Sequence, residues 1–309
     1  MDAPGPRPFR AALHELAAEV GDQGPVAMVG GRTAWDVGGS VADDVREVRA
    51  PEGIVSIEPA EMTVRVGAGT PAAELDAALA DSGQEVVIGG RKGGTVGGAL
   101  AVGWSSIRRP AVGPARDCLL EAVIVGADGR LVRAGGPTVK NVTGYDLCRL
   151  LAGSLGTLGF IGEVLLRTRP RPELSAWMRG PWEPGVEPRL VVRPAAHLWD
   201  GTRSWLLLEG HPDDVERSMG TLQAEGGQEV DAPPPLPPHR WSLDPSTLGA
   251  LLHDDHGGFV AEVGVGTVHR DLPQPVREVG PAVRTLHQRM TALFDPSGRL
   301  NPGRDVLHR

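Results

Sequence analysis

The segment 89–98 constrains the fold more than any other part of this sequence, because six of its ten residues are glycine. Glycine has no Cβ, so its backbone can approach a ligand or a neighbouring loop closely. Consecutive N–H groups in such turns form a concave site for an anion. A second cluster, Gly30-Gly31-Arg32-Thr33, follows the short apolar run Val26-Ala27-Met28-Val29. The two clusters would suit a pyrophosphate and a large planar cofactor, and glycines that only form tight turns are the alternative.

Composition and charge exclude several classes of protein. The chain has 309 residues, of which 40% are apolar and 23% charged, so a globular protein of about two domains is expected. The net charge is -8 and no run of Lys or Arg occurs, which argues against a nucleic-acid-binding surface. Cys118 and Cys148 are the only cysteines, so neither a disulfide framework nor a cysteine zinc site is indicated. Because no apolar stretch approaches ~20 residues and no signal-peptide pattern follows Met1, we expect a cytoplasmic protein.

Apolar periodicity and breaker residues predict the elements of the first half. Residues 9–20 have helical spacing and end at Gly21, and residues 62–66 alternate as a half-buried strand. Thr70 is expected to cap a helix that has Pro71 in its first turn. The prediction for this half comprises helices over 9–20 and 72–82, strands over 26–29, 62–66 and 160–166, and a hairpin over 122–133.

The second half mixes strand-like and helix-like segments. Asp213-Asp214-Val215-Glu216 has the pattern of a capping box and predicts a helix that continues to about Glu225. The proline-rich run 233–238 predicts an extended surface loop. The remaining predictions are strands over 189–193, 204–208 and 259–268, a helix over 283–293, and a turn-rich tail over 294–303. The chain is therefore expected to be an α+β protein.

Several chemical motifs are weaker than they first look. The segment 67–72 matches G-x-G-x-x-A, but Glu85 precedes the next apolar run instead of closing it, so a nicotinamide-binding fold ranks last. His253-Asp254-Asp255-His256 could bind a divalent metal, although a solvated helix end is the favoured interpretation. The two cysteines are interpreted as small core residues and not as nucleophiles.

Residue types that are rare in this chain occur close together at one place. The chain contains two lysines, two asparagines and one tyrosine, and Lys140, Asn141 and Tyr145 lie within six residues of each other. Elsewhere the sequence favours Arg, Ala, Gly and Pro over these types. We therefore expect residues 138–146 to belong to a functional site.

Several motifs also occur together and in order. They are Gly94-Thr95-Val96-Gly97-Gly98, Arg108-Arg109-Pro110, Gly113-Pro114-Ala115-Arg116-Asp117, Lys140-Asn141-Val142-Thr143-Gly144-Tyr145-Asp146, the segment 150–159, and the tail from Phe294 to Gly303. With these motifs the sequence resembles the FAD-linked oxidoreductases of the vanillyl-alcohol oxidase/PCMH type. Within that family it is similar to the FAD-binding E subunits of bacterial glycolate oxidases. The middle of the chain, from 173 to 280, matches only in outline.

The resemblance implies a two-lobed α+β fold. An FAD-binding PCMH-type domain of two α/β subdomains would occupy residues 1–170, and a short α+β cap would occupy residues 171–280. Residues 281–309 would return to the FAD-binding domain. The cofactor would be FAD, bound non-covalently, because members with covalent flavin carry a His in the first loop, where this chain has Thr33 and Ala34.

The resemblance also implies which residues contact the cofactor. The expected cofactor-binding residues are Gly30, Gly31, Arg32, Thr33, Gly94, Thr95, Gly97, Gly98, Arg116, Asp117, Lys140, Asn141, Gly144, Tyr145, Gly153, Ile161 and Asn301. Arg32 departs from the family, whose first loop carries small residues, and it could either assist a phosphate or obstruct it. His269 is a weak candidate for a catalytic group, and an ordinary strand residue is the favoured alternative.

The function that the resemblance implies is the oxidation of a small 2-hydroxy acid such as glycolate, by hydride transfer to flavin. Electrons would pass to a partner subunit or a quinone, and the partners would be a larger flavoprotein subunit and an iron–sulfur subunit. The chain would be cytoplasmic, or held at the inner membrane through these partners. One alternative is a non-catalytic flavin-fold scaffold subunit, and another is a stand-alone FAD-dependent dehydrogenase.

Overall fold

A computed structural model describes residues 7–136, 146–184, 193–254 and 256–308. Contacts within the chain divide it into two units. The first unit comprises residues 1–106, 114–170 and 277–309, and the second comprises residues 107–113 and 171–276. Domain boundaries near residues 170 and 280 remain a proposal, and the short segment 107–113 clusters with the second unit.

The described residues form α-helices, strands and short 3-10 helices. The α-helices are α1 (Arg7–Val20), α2 (Ala72–Ala80), α3 (Val96–Val102), α4 (Arg109–Val112), α5 (Leu147–Leu151), α6 (Pro212–Ala224) and α7 (Pro281–Phe294). The strands are β1 (Val26–Met28), β2 (Arg46–Val48), β3 (Ile54–Glu58), β4 (Thr63–Gly67), β5 (Gln84–Glu85), β6 (Leu119–Val125), β7 (Leu131–Gly135), β8 (Phe160–Arg167), β9 (Arg169–Pro170), β10 (Leu174–Gly180), β11 (Ala196–Trp199), β12 (Ser204–Gly210), β13 (Gln228–Val230), β14 (His239–Ser242), β15 (Phe259–Glu262) and β16 (Thr267–Arg270). The 3-10 helices are Pro59–Glu61, Ala115–Cys118, Pro245–His253 and Val306–His308. No described helix combines the length and the apolar character that crossing a membrane requires.

The first unit is built on a five-stranded sheet in the order β3–β4–β8–β6–β7, with every neighbouring pair antiparallel. Strand β8 lies in the middle, and all of its residues except Arg167 are buried. Leu79 of α2, Leu100 of α3 and Leu151 of α5 pack in one core with Val164 of β8. Because β4 is antiparallel to both of its neighbours, the nicotinamide-binding fold, which needs parallel strands, is excluded.

A second core of the first unit joins the two ends of the chain. Strands β1 and β2 form a parallel pair, and Val26 of β1 also bridges Leu300 near the C-terminus. The Val26 N–H donates to the Arg299 carbonyl at 2.9 Å, and the Asn301 N–H donates to the Val26 carbonyl at 2.9 Å. Val26 and Leu300 are buried in one cluster with Phe160 of β8. The C-terminal segment therefore extends the β1 side of the first unit.

The second unit contains a seven-stranded antiparallel sheet in the order β13–β10–β12–β11–β15–β16–β14. Met178 of β10 and Leu206 of β12 pack against Leu222 of α6. Trp199 of β11 packs with Leu248, which belongs to the 3-10 helix Pro245–His253. The unit is an α+β layer in which α6 and the 3-10 helix Pro245–His253 pack on the sheet.

Most elements expected from the sequence are confirmed with boundaries that agree within three residues. Confirmed are the helices over 9–20, 72–82, 213–225 and 283–293, the strands over 26–29, 62–66, 160–166 and 204–208, and the hairpin over 122–133. The strand expected over 189–193 falls, except for Arg193, outside the described residues.

The strand expected over 259–268 is wrong, because it is two strands. Strands β15 and β16 form a hairpin, and the turn between them contains Gly264 and Gly266 with φ angles of 78° and 80°. Glycine adopts this left-handed region without the steric cost that other residues meet. The apolar residues of 259–268 therefore belong to two strands with a glycine turn between them, and the hydropathy of the segment does not indicate that turn.

Two helix caps also differ from the prediction. The N-cap of α2 is Pro71, and the Thr70 hydroxyl instead accepts a hydrogen bond from the Gly53 N–H at 2.8 Å. At α6 the N-cap is His211, whose Nδ1 accepts from the Asp213 N–H at 3.3 Å, so the expected capping box does not form. In both cases a proline next to the expected cap sets where the helix begins.

The acidic and histidine-rich segment 253–256 is structural in its described part. Asp254 forms an ion pair with Arg270, a fully buried side chain that also lies over the rings of Trp241 and Phe259. The described residues contain no cluster of His, Cys, Asp and Glu that could hold a metal ion. Asp255 lies outside the described residues.

Candidate functional site

A cavity of about 1040 Å³, part of it open to solvent, lies in the first unit where two glycine loops meet. The first glycine loop (residues 30–33) follows β1, and the second glycine loop (residues 89–95) precedes α3. Residues of β8 and of the C-terminal segment complete the lining. The cavity is concave and its lining is mostly apolar with a few polar groups, as in ligand sites generally.

Ten residues expected from the sequence line this cavity. They are Gly30, Gly31, Arg32, Thr33, Gly94, Thr95, Gly97, Gly98, Ile161 and Asn301. These residues come from four segments of the chain that are far apart in sequence. The fold brings them together because β1, β8 and the C-terminal segment share one core and the second glycine loop packs beside them.

The two glycine loops contact each other backbone to backbone. A Cβ atom on Gly31 would lie 2.1 Å from the Gly93 carbonyl oxygen, so a side chain at Gly31 would push the two loops apart. At the start of α3, a Cβ atom on Gly97 would lie 2.7 Å from the Cβ of Ala68, so a side chain there would push α3 away from Ala68. These two glycines are required by close packing and not by an unusual φ angle.

The first glycine loop presents unused hydrogen-bond donors. No described residue accepts a hydrogen bond from the backbone N–H groups of Gly30, Gly31, Arg32 and Thr33. Arg32 has a φ angle of 55°, which turns the chain within the loop. Consecutive N–H groups in a turn of this kind form a concave site for an anion.

The charged side chains among the described lining residues are Arg32, Arg91 and Arg304. The Arg91 guanidinium donates to the Thr33 carbonyl at 2.9 Å and to the Asp36 carboxylate at 3.1 Å, which connects the two glycine loops. Burial lowers the pKa of Arg304, but an arginine stays protonated at neutral pH. The described lining is therefore positively charged in a chain whose net charge is -8.

Asn301 holds two walls of the cavity together. Its Oδ1 accepts from the Met28 N–H at 3.0 Å, and its Nδ2 donates to the Leu155 carbonyl at 2.6 Å. The side chain is 7% exposed and the φ angle is 46°, a conformation that asparagine tolerates better than most residues. Both ends of its amide are thus engaged by backbone groups of β1 and of the loop before β8.

Three of the expected residues do not line the cavity. The Arg116 side chain is half exposed and lies 3.9 Å from Asp117, whose carboxylate also lies 3.7 Å from Arg149. Gly153 packs against Gly103, where a Cβ on Gly103 would lie 2.8 Å from the Gly153 Cα. Lys140, Asn141, Gly144 and Tyr145 lie outside the described residues.

His269 lies in the second unit, in β16. It is 4% exposed, and its Nε2 lies 2.9 Å from Glu262 Oε1, which also accepts from Arg240 at 3.3 Å. These contacts describe a buried strand residue in an ion cluster. A role of His269 in the reaction stays a prediction that none of these contacts tests.

Several cavity residues were not expected from the sequence. They are chiefly Gly89, Gly90, Arg91, Trp35, Trp104 and Arg304. The glycine density of segment 89–98 was a usable signal for the first two. The others form pairs across long sequence distances, such as Arg91 over the Trp104 ring and Arg304 over the Trp35 ring, and no spacing pattern encodes such pairs.

The cysteines take no part in the cavity lining. Burial raises the pKa of the Cys118 thiol and that of the Cys148 thiol to about 12, so both stay protonated at neutral pH. We expect iodoacetamide at pH 8 to leave both thiols unmodified in the native chain and to modify both after denaturation in urea. Mass spectrometry of the two samples checks this, and rapid native labelling of Cys148 would contradict its buried placement.

These features fit the cofactor that the sequence resemblance implies. The free N–H groups and the arginines suit a pyrophosphate, and Val102, Leu155 and Phe160 form an apolar wall that suits a flat ring system. The described part of the first glycine loop contains no His that could bond covalently to a flavin.

Comparisons with known proteins agree with this geometry. Residues 11–135 match a family model described as an FAD binding domain. The chain is 32% identical over 231 residues to glycolate oxidase subunit GlcE of Escherichia coli K12, covering 72% of this chain and 65% of that subunit. It is 36% identical over 150 residues to a D-lactate dehydrogenase of Archaeoglobus fulgidus, covering 48% of this chain and 34% of that enzyme. The chain thus spans less than two thirds of the length of these relatives.

Solved structures show the same fold. Alkyldihydroxyacetonephosphate synthase superposes with a TM-score of 0.69 over 94% of this chain and 74% of its own, at 12% sequence identity. At that identity the likeness concerns the fold alone. The matched domain and the similarity to GlcE show that the chain contains an FAD-binding domain of the PCMH type, and that its cofactor is FAD.

Proposed function

We propose that this chain is a subunit that uses FAD to oxidise a small 2-hydroxy acid such as glycolate. The observation that carries this proposal is the positively charged, glycine-lined cavity in a chain similar to a glycolate oxidase subunit and a D-lactate dehydrogenase. Both of those names refer to 2-hydroxy acids. Electrons would leave through a partner subunit or a quinone.

Different residues of the chain would bind different parts of FAD. The backbone N–H groups of the first glycine loop and the nearby arginines would hold the pyrophosphate, as anion sites of this kind do. The apolar wall would exclude water beside the ring system. Asn301 would keep β1 and the loop before β8 at a fixed separation. FAD, once bound, supplies the acceptor for the hydride from the α-carbon, and the protein supplies position and electrostatics.

One observation favours a second candidate function. Apart from the arginines, the polar side chains among the described lining residues are Thr33, Thr95, Ser154 and Asn301, together with the indole N–H groups of the two tryptophans. None of these accepts a proton readily at neutral pH, whereas the oxidation of a hydroxyl group needs a base. A non-catalytic flavin-fold scaffold subunit would need no such base, and activity of the isolated chain distinguishes the two functions.

Partners and location belong to the same proposal. The relative from Escherichia coli is named as a subunit, which supports an assembly in this case too. We propose a larger flavoprotein subunit and an iron–sulfur subunit as partners. The chain would then be cytoplasmic, or held at the inner membrane through those partners.

The first experiment is the visible absorption spectrum of the purified chain, before and after precipitation with acid. Flavin absorbance that moves into the supernatant supports non-covalent FAD, and colour that stays in the pellet contradicts it. Anaerobic addition of glycolate or D-lactate then tests catalysis. Loss of the flavin absorbance supports the oxidase function, and an unchanged spectrum of the isolated flavin-loaded chain favours the scaffold or a need for partners.

The close contact of the glycine loops leads to a specific mutational prediction. Gly31→Ala is expected to weaken FAD binding by about tenfold or more, because the new Cβ would lie 2.1 Å from the Gly93 oxygen and open the anion site. Fluorescence titration of the apo chain with FAD measures the dissociation constant. Gly220→Ala is the matched control, since nothing lies within 4 Å of a Cβ there. Full flavin retention by Gly31→Ala would contradict the assignment of this loop.

A further inference from the structure

The Arg32 side chain is the unusual feature of the first glycine loop. Its guanidinium forms an ion pair with Glu47 of β2 and lies 4.9 Å from the centre of the Trp35 ring. The backbone N–H of the same residue is one of the four free donors described above. The residue therefore offers both a backbone donor and a half-exposed cation at the anion site.

The surroundings of Arg32 carry an excess of positive charge. Arg49, two residues after Glu47, donates to the Gly30 carbonyl at 3.3 Å, and Arg304 lies 4.6 Å from the centre of the Trp35 ring. Arg32 lies in the loop between β1 and β2, and Arg49, Arg91 and Arg304 contact that loop. Among the described residues, the carboxylates in these contacts are Glu47 and Asp36, so four guanidinium groups meet two carboxylates.

The two carboxylates differ in how firmly they are held. Asp36 receives two donors from Arg91, at 2.5 and 3.1 Å, which is the bidentate arrangement that arginine favours. Glu47 and Arg32 are 45% and 47% exposed in their side chains. Ion pairs as exposed as this one contribute little to stability, so Arg32 can exchange its partner at small cost.

We propose that Glu47 and the pyrophosphate of FAD compete for the guanidinium of Arg32. In the absence of cofactor the arginine pairs with Glu47, and on binding it transfers to the phosphates, so that it positions the cofactor and does not obstruct it. Because the ion pair with Glu47 must break before Arg32 contacts the phosphates, Glu47 lowers the affinity of the chain for FAD. The inference rests on FAD as the cofactor and is independent of which substrate is oxidised.

A double-mutant cycle on the apo chain tests this competition. Dissociation constants for FAD are measured by fluorescence titration for the wild type, Arg32→Gln, Glu47→Gln and the double variant. We expect Arg32→Gln to weaken binding about tenfold, because a charge-assisted contact to phosphate is lost. Glu47→Gln is expected to tighten binding about threefold in the wild type and to have a much smaller effect beside Arg32→Gln.

The outcomes separate competition from simpler effects. Equal effects of Glu47→Gln in both backgrounds would mean only through-space repulsion, and the proposal would then be wrong. Unchanged binding by Arg32→Gln would show that the arginine does not contact the phosphates, and tighter binding would show that it obstructs the site; either result would overturn the proposal. Arg217→Gln, which removes an exposed arginine of α6 paired with Asp214, is the control and should leave the dissociation constant unchanged.

Two further measurements keep the result interpretable. Thermal melts of the variants without FAD should match the wild type, since both side chains are about half exposed. Added salt should weaken FAD binding more for Glu47→Gln than for Arg32→Gln. In the first variant the Arg32 guanidinium contacts the phosphates and salt screens that contact, whereas the second variant lacks the guanidinium. If the wild type itself binds no FAD, the proposed function fails, which differs from a failure of the competition alone.

Discussion

Replacing Arg65 by methionine is expected to destabilise the five-stranded sheet of the first unit by about 3–5 kcal/mol. Arg65 Nη1 lies 2.8 Å from Glu121 Oε1 and 2.8 Å from Glu163 Oε1. The exposed fractions of these side chains are 10%, 2% and 1%, so the charges are almost entirely removed from water. Removing the cation would leave two buried carboxylates that Arg133, at 3.2 Å from Glu121, compensates only in part.

The loss should depend on pH in a defined direction. Burial raises the pKa of Glu163 above its ordinary value, although Arg65 and its hydrogen bond lower it. Without Arg65 this lowering disappears, so the folded state binds a proton more tightly than the unfolded state does. Stability then falls as pH rises through the folded pKa. We therefore expect Arg65→Met to be more destabilised at pH 8 than at pH 5.

Hydrogen exchange followed by mass spectrometry measures this effect, because it reports on β4, β6 and β8 separately from the second unit. Arg130→Met is the matched control, since the exposed fractions of Arg130 and its partner Asp128 are 84% and 60%. That variant should differ from the wild type by less than about 0.5 kcal/mol. The triple variant Arg65→Met, Glu121→Gln, Glu163→Gln should recover stability, and no recovery would show that packing and not charge dominates.

Arg299→Ala is expected to release the C-terminal segment and the end of α1, at a cost of about 3–5 kcal/mol. Arg299 is 5% exposed, and its guanidinium donates to five backbone carbonyl groups at 2.6–3.1 Å. The acceptors are the carbonyls of Val20, Gly21, Gln23, Gly24 and Ala127. The carbonyls at the end of a helix lack partners within the helix, and here the arginine supplies them.

The same substitution should also weaken FAD binding, although Arg299 does not line the cavity. Asn301 and Arg304 lie in the segment that Arg299 anchors, and both line the cavity. Protease sensitivity of residues 295–308 and a fluorescence titration with FAD measure the two effects. Arg299→Lys is the informative comparison, because lysine keeps the charge but lacks the planar array of five donors. Full recovery by lysine would mean that charge alone matters.

The resemblance and the periodicity of the sequence together anticipated much of the site, and the reason is local. The residues of a glycine loop are contiguous in the chain, so glycine density indicated Gly30, Gly31 and Gly97, whereas Ile161 was expected from the resemblance alone; all four line the cavity. Arg91 could not be identified in either way, because its partners Thr33 and Asp36 are 58 and 55 residues away. The prediction that Thr70 caps α2 was wrong for the same reason, because the Thr70 hydroxyl accepts a hydrogen bond from the N–H of Gly53, 17 residues earlier.

The sequence by itself determined the α+β class, most helices and strands, and the FAD-binding domain with its cofactor, because apolar spacing, turn residues and ordered motifs act over short distances along the chain. The tertiary structure decided which charges meet. It buried Arg65 between two glutamates, tied Arg299 to five carbonyls, and paired Arg32 with Glu47 beside the free N–H groups. These contacts join residues that are 15 to 279 positions apart, and only packing of the complete core brings such residues within hydrogen-bonding distance.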